Sequence, residues 1–112
     1  PLTDSNKHLI NNESLSIMKS SSYLINTSRG DLIDENALAI ALTNKKIAGA
    51  AVDVLSEEPP PSDHCLMNES IPNILVSPHI AWISVESRKR LIKGVCSNIK
   101  SFINKSPINQ VN

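Results

Sequence analysis

The sequence predicts an α/β fold built on a parallel sheet. Three observations carry that reading. Short β-prone apolar runs alternate with helical patterns along the chain, as they do where strands are joined by helical crossovers. The run from Ile47 to Val54 is continuously small or β-branched, which suits a strand covered on both faces. A long apolar stripe at helical spacing follows Ser84.

The elements follow in order. Pro1 to Asn12 is polar and turn-like apart from Leu9 and Ile10. Asn12 can accept from the free amides of a first helical turn and Glu13 suits the positive end of the helix dipole, so a short helix is expected through Leu15, Ile17, Met18 and Lys19. Ser20, Ser21 and Ser22 break it. Tyr23–Asn26 is too short for a helix and reads as a strand. Asp34 caps a second helix, with Glu35 in its first turn, Ala37, Leu38, Ala41 and Leu42 on one face, and Lys45 and Lys46 at its negative end. Ile47–Val54 is the second strand. Glu57-Glu58-Pro59-Pro60-Pro61 opens an irregular connection to Asn73, because prolines cannot sit in a regular ladder. Ile74–Ser77 forms a third strand, stopped by Pro78. From the N-cap Ser84, apolar residues recur at Leu91, Ile92, Val95, Cys96, Ile99, Phe102 and Ile103, about 20 residues or roughly 30 Å of helix.

Composition removes several classes of function. With 112 residues, 11 basic and 11 acidic, the chain supports one small core and has no net charge to drive binding to nucleic acid or an anionic membrane. Aromatic residues at 3% leave no stacking platform for single strands, and three glycines leave no glycine-rich phosphate loop. No apolar run is long enough to cross a bilayer. Cys65 and Cys96 stand 31 positions apart, without CxxC spacing, so no CxxC metal or redox site is expected, and two unpaired thiols point to the cytoplasm. The opening Pro1-Leu2-Thr3-Asp4 lacks Met and suggests that something precedes it.

In open parallel sheets, ligands bind beyond the carboxyl ends of the strands. Asn26-Thr27-Ser28-Arg29-Gly30 follows the first strand, Asp53 and Glu58 the second, and Pro78-His79-Ile80-Ala81-Trp82 the third. One rim would then hold a guanidinium that can grip a carboxylate, an imidazole that exchanges protons near neutral pH, and a carboxylate to orient it. That set suits a reaction on a small anionic carbonyl compound. Each residue alone also has an ordinary reading: Arg29 as a surface or capping residue, Glu58 as a solvated loop charge, Asp53 as a turn former, His79 as a packed loop residue and Trp82 as core filler. His8 and His64, in polar loops, carry no assignment. Co-location after three successive strands favours the chemical reading over the ordinary ones.

These residues resemble the NAD-dependent D-isomer-specific 2-hydroxyacid dehydrogenases. Met18-Lys19 through Leu24–Gly30 with Leu32–Glu35 and Ala37-Leu38 is similar to one family signature. Ala48–Val54 with Glu58-Pro59 is similar to a second, and Asn73-Ile74 through Ser77–Trp82 to a third. Ile80-Ala81-Trp82 after His79 resembles the glycerate dehydrogenase (hydroxypyruvate reductase) branch. The resemblance implies the C-terminal half of a Rossmann-like NAD-binding domain over residues 1–83, and a long helix and tail over 84–112 that pack on a separate substrate domain. It implies that Arg29 holds the substrate carboxylate and polarises its carbonyl, that His79 is the acid/base, and that Glu58 pairs with His79. It places Asp53 and the backbone near Thr27 and Ser28 against the nicotinamide, Thr3 near the adenosine side, and His79, Ile80, Ala81 and Trp82 along the nicotinamide. NAD is the implied cofactor, with NADP open, a small 2-oxo or 2-hydroxy acid the substrate, and a homodimer the state of the full-length protein.

The departures from the family have consequences. The GxGxxG turn and the acidic residue that grips the ribose are absent from these residues. Two expectations follow: the chain alone is inactive, and an uncovered sheet edge and helix stripe make it marginal or self-associating. The alternative function, from a different class, is a non-catalytic truncated module that dimerises or binds a parent subunit.

Overall fold

The computed structural model describes residues 2–111. The chain forms two compact units, one ending at Ile80 and one starting at Ala81. In the first, β1 (Tyr23–Asn26), β2 (Gly49–Val52) and β3 (Ile74–Val76) make a three-stranded sheet in the order β1-β2-β3, with both pairs parallel. Helices α1 (Asn12–Ser16) and α2 (Glu35–Thr43) and the 3-10 turns Gly30–Leu32 and Cys65–Met67 complete it. The expected α/β fold on a parallel sheet is the one observed.

The core lies on one face of that sheet. Leu24, Ala50 and Ile74 are in register, as are Asn26, Val52 and Val76, and these rows face a cluster containing Leu15, Leu38, Leu42, Ile47 and Leu66. Burying each such aliphatic side chain contributes about 1.5–3 kcal/mol, so this cluster supplies most of the cohesion of the unit. The opposite face is different. Ile25, Ala51 and Leu75 are in register there, and Ile25 is 72% and Leu75 66% exposed. The expectation that β2 is covered on both faces therefore fails within this unit, because the residues flanking Ala51 on that face stand largely exposed.

Local capping explains where the helices start and stop. Asp34 accepts from the Ala37 amide at 3.0 Å and begins α2, as expected. The cap of α1 is Asn11 rather than Asn12: its Oδ1 accepts from Glu13 and Ser14 amides, while Ser14 Oγ accepts from the Asn11 amide at 2.8 Å. This helix ends at Ser16, short of the expected Lys19, as the Ser14 and Ser16 hydroxyls donate back to main-chain carbonyls and Ile17 stands 84% exposed. α2 ends at Thr43, and Lys45, with φ of 54°, takes the left-handed position usual for glycine while Lys46 N–H bonds back to the Ala41 carbonyl at 2.8 Å. The polar N-terminal stretch is turn-like over residues 4–8, as expected, and Ile10, one of its two apolar residues, forms a parallel bridge with Ile33. β2 is shorter than Ile47–Val54, though its ladder continues as the Asp53 amide donates to the Asn26 carbonyl at 2.8 Å.

The second unit is built on α3 (Val85–Ile103), capped by Ser84 through the Ser87 amide at 3.1 Å, close to the expected span. No residue of α3 is buried, and its stripe, including Leu91, Ile92, Val95, Ile99 and Phe102, lies open. No helix among the described residues is long and apolar enough to cross a membrane.

Candidate active site

The segments leaving the carboxyl ends of the three strands are held together by main-chain fit and by hydrogen bonds. After β1, the buried Asn26 organises the turn: its amide donates to the Arg29 carbonyl at 2.9 Å and its Oδ1 accepts from the Ser28 amide at 3.1 Å. Gly30 then lies so close to the chain after β2 that a Cβ would overlap the carbonyl carbon of Leu55 and the amide of Ser56. That close approach brings the Arg29 turn against the segment carrying Glu58.

Asp53 directly follows β2 at 5% exposure, a carboxylate that must be hydrogen-bonded to be tolerated there. Its Oδ1 accepts from the Ser77 hydroxyl at 2.5 Å and the Ile80 amide at 2.9 Å, and its carbonyl accepts from the His79 amide at 2.9 Å. The turn after β3 is thereby tied to the end of β2. His79 adopts φ of 55°, a left-handed conformation uncommon for a non-glycine residue, supported by its amide hydrogen bonds to Asp53 and Ser77.

The imidazole so presented meets Glu58. His79 Nδ1 donates to Glu58 Oε2 at 2.7 Å, and Glu58 Oε1 accepts from the Leu55 amide at 2.9 Å. The His79 hydrogen bond, then that of Leu55, holds the Glu58 carboxyl below its ordinary pKa. The Glu58–Pro59 peptide is cis. Arg29, Glu58 and His79 line one cleft of about 140 Å³ with Gly30, Val54, Leu55 and Ser56. A larger, apolar cleft of about 440 Å³ also includes Glu58 and His79, and is walled by Leu55, Pro59, Pro60, Met67, Val76 and Pro78.

The other residues singled out in the sequence are more dispersed. Thr27 and Ser28 are exposed in the turn before Arg29, whose guanidinium donates to the Ser28 carbonyl at 2.7 Å. Thr3 lies in the N-terminal turn, bonded to Ser5 at 3.0 Å, and does not line the Arg29 cleft. Ile80 contributes its amide to Asp53, while Ala81 and Trp82 belong to the second unit. Trp82 is 53% exposed, which does not fit the core-filler alternative.

Four supporting residues had no part in the site assigned from sequence: Asn26, Ser77, Glu35 and His64. Asn26 and Ser77 sit at strand ends inside the motifs, which is a usable signal. Glu35 and His64 are 29 positions apart and meet at 3.2 Å with side chains 10% and 8% exposed, a pairing with no local signature. The His64 side chain, given no assignment from sequence, is thus largely covered. Among the described residues no group of His, Cys, Asp and Glu is arranged to hold a metal ion.

Comparison with known proteins agrees with this architecture. Residues 1–81 match the family described as D-isomer specific 2-hydroxyacid dehydrogenase, NAD binding domain. The chain is 47% identical over 105 residues to a putative 2-hydroxyacid dehydrogenase of Haemophilus influenzae, covering 92% of this chain and 33% of that protein. It is 42% identical over 111 residues to a glycerate dehydrogenase of Methylorubrum extorquens, covering 99% and 35%. Among solved structures, an acyclic imino acid reductase in complex with NADPH and D-Arg superposes over 100% of this chain and 35% of its own, with a TM-score of 0.84 and 31% identity. A glyoxylate reductase from Paecilomyes thermophila superposes over 95% and 31%, with a TM-score of 0.78 and 36% identity. The chain spans about a third of the length of the relatives it matches, 33% and 35% in the two named. With its parallel sheet and the match over residues 1–81, the chain belongs to the D-isomer-specific 2-hydroxyacid dehydrogenase family, through that family's NAD-binding domain.

Proposed function

We propose that these residues form the catalytic rim of an oxidoreductase that interconverts a small 2-oxo acid and its D-2-hydroxy acid, with hydroxypyruvate and glycerate the first pair to test. The observation that carries this reading is the single cleft shared by Arg29, Glu58 and His79. The guanidinium of Arg29 grips the substrate carboxylate through its planar fork and draws electron density from the neighbouring carbonyl. His79 uses Nδ1 to pair with Glu58, so proton donation to the carbonyl oxygen falls to Nε2. Glu58 fixes the ring and stabilises its positive charge. The reaction consumes one 2-oxo acid, one hydride equivalent and one proton, and yields one 2-hydroxy acid.

The residues present fit one end of a nicotinamide dinucleotide. Asp53 offers a carboxylate acceptor at the carboxyl end of β2, and the exposed Thr27-Ser28 backbone lies at the end of β1. Ile80, Ala81 and Trp82 are proposed to line the same ring and Thr3 the adenosine side. When bound, the dinucleotide supplies the hydride, with NADH the donor to test first. The three glycines, Gly30, Gly49 and Gly94, form no glycine-rich turn for a diphosphate, so the 112-residue chain alone is expected not to turn over. A homodimer is the proposed state of the intact gene product, and the free thiols of Cys65 and Cys96 suit the cytoplasm.

Arg29→Ala in the intact gene product tests the reading. Losing the carboxylate grip should lower kcat/KM for hydroxypyruvate by a factor of about 10² to 10³, equivalent to roughly 3–4 kcal/mol. Unchanged kinetics would remove Arg29 from the site. The exposed stripe of α3 favours a second reading, a non-catalytic interaction module. A start codon immediately before Pro1 would support the module, and an upstream strand followed by GxGxxG would support the enzyme.

A further inference from the structure

We propose that Glu35 is a positioning residue: by gripping Ser56 and His64, which bracket the segment bearing Glu58, it sets the Glu58 carboxylate against His79. The proposal rests on the reading of Glu58 and His79 as the acid–base pair, but the geometry that carries it is independent of the reaction. Glu35 opens α2, and its side chain is 10% exposed. Oε1 accepts from the Ser56 amide at 2.8 Å, and Oε2 accepts from the Ser56 hydroxyl at 2.5 Å. His64 Nδ1 accepts from the Leu66 amide at 3.3 Å, which puts the ring proton on Nε2, and Nε2 donates to Glu35 Oε2 at 3.2 Å. One carboxylate thus closes a loop whose ends lie 8 positions apart (64 − 56), in the middle of which stand Glu58 and the three prolines.

The segment needs such an anchor. Ser56 to Pro61 lies outside the strands and helices, and Glu58 itself is an exposed residue. Its carboxylate reaches back to the Leu55 amide and across to His79, so a small displacement of Ser56 alters both hydrogen bonds together. A carboxylate only 10% exposed that accepts three hydrogen bonds is costly to strip of its partners, and its partners here are the two ends of this loop.

The test uses Glu35→Gln, which keeps the shape but replaces one acceptor oxygen with an NH₂ group, and Ser56→Ala, an exposed-loop change that should fold whatever Glu35→Gln does. The readouts are the titration midpoint of Glu58, followed by ¹³C NMR of its carboxyl carbon, and the steady-state kinetics of hydroxypyruvate reduction by the intact gene product, with kcat and KM resolved separately. Expected results are an upward move of the Glu58 midpoint toward the ordinary carboxylate value and a fall in kcat of about tenfold, with KM changed by less than about twofold. An unmoved midpoint in either folded variant would overturn the proposal, as would a wild-type Glu58 that already titrates at the ordinary value. A midpoint that rises with kcat intact would support the positioning role while refuting the acid–base reading of the pair.

Discussion

His79 Nδ1 stands 2.7 Å from Glu58 Oε2, and the same carboxylate receives the Leu55 amide at 2.9 Å on its other oxygen. The two donors favour the charged form and hold the Glu58 carboxyl below its ordinary value. A carboxyl whose pKa is depressed by folding stabilises the fold above its unfolded pKa, and that stabilisation is lost as pH falls through the folded value. Denaturant midpoints measured from about pH 6 downward through the carboxylate range should therefore fall more steeply in wild type than in Glu58→Gln. Parallel pH profiles for the two proteins would show that the pair is absent in solution.

Two of the three glycines make opposite predictions. At Gly30 a Cβ would overlap the main chain of Leu55 and Ser56, which cannot rotate away, so Gly30→Ala should cost about 3 kcal/mol in chemical denaturation. At Gly94, inside α3, nothing lies within 4 Å of an added Cβ. Gly94→Ala should raise helix stability by about 0.5–1 kcal/mol, read by circular dichroism during thermal melting. Equal effects at the two positions would contradict the close approach that brings the Arg29 turn to Glu58.

The bare face of the sheet sets the solution behaviour of the isolated chain. Ile25 and Leu75 lie in register on either side of Ala51, at 72% and 66% exposure. Apolar surface beside unpaired strand edges invites association. Sedimentation velocity of the 112-residue chain should show concentration-dependent self-association, reduced in the Ile25→Lys/Leu75→Lys double variant. A sharp, concentration-independent thermal transition of a monomer would contradict this.

Features governed by short-range chemistry were legible in the sequence. Asp34 and Ser84 cap their helices because a side-chain oxygen needs only amides three residues on. The gathering of Arg29, Glu58 and His79 in one cleft was also legible, since parallel strands send their following loops to a common rim. What the sequence hid was set by packing and by distant partners. β2 reads as doubly covered because its own residues are small and branched, whereas cover depends on where other elements lie. The Glu35–His64 contact joins residues 29 apart, and a histidine in a polar stretch gives no sign that a helix N-terminus will reach it. The Asn11 cap was missed by one position because Asn11 and Asn12 are adjacent and chemically identical, and only Ser14 closing back on Asn11 separates them.

The most direct test of the central claim is the kcat/KM for hydroxypyruvate reduction by the intact gene product with His79→Ala, assayed with NADH near neutral pH. Removal of a general acid should lower it by at least about 10²-fold. A value within about twofold of wild type would contradict the assignment of His79 as the proton donor, and with it the reading of the shared cleft as a catalytic site.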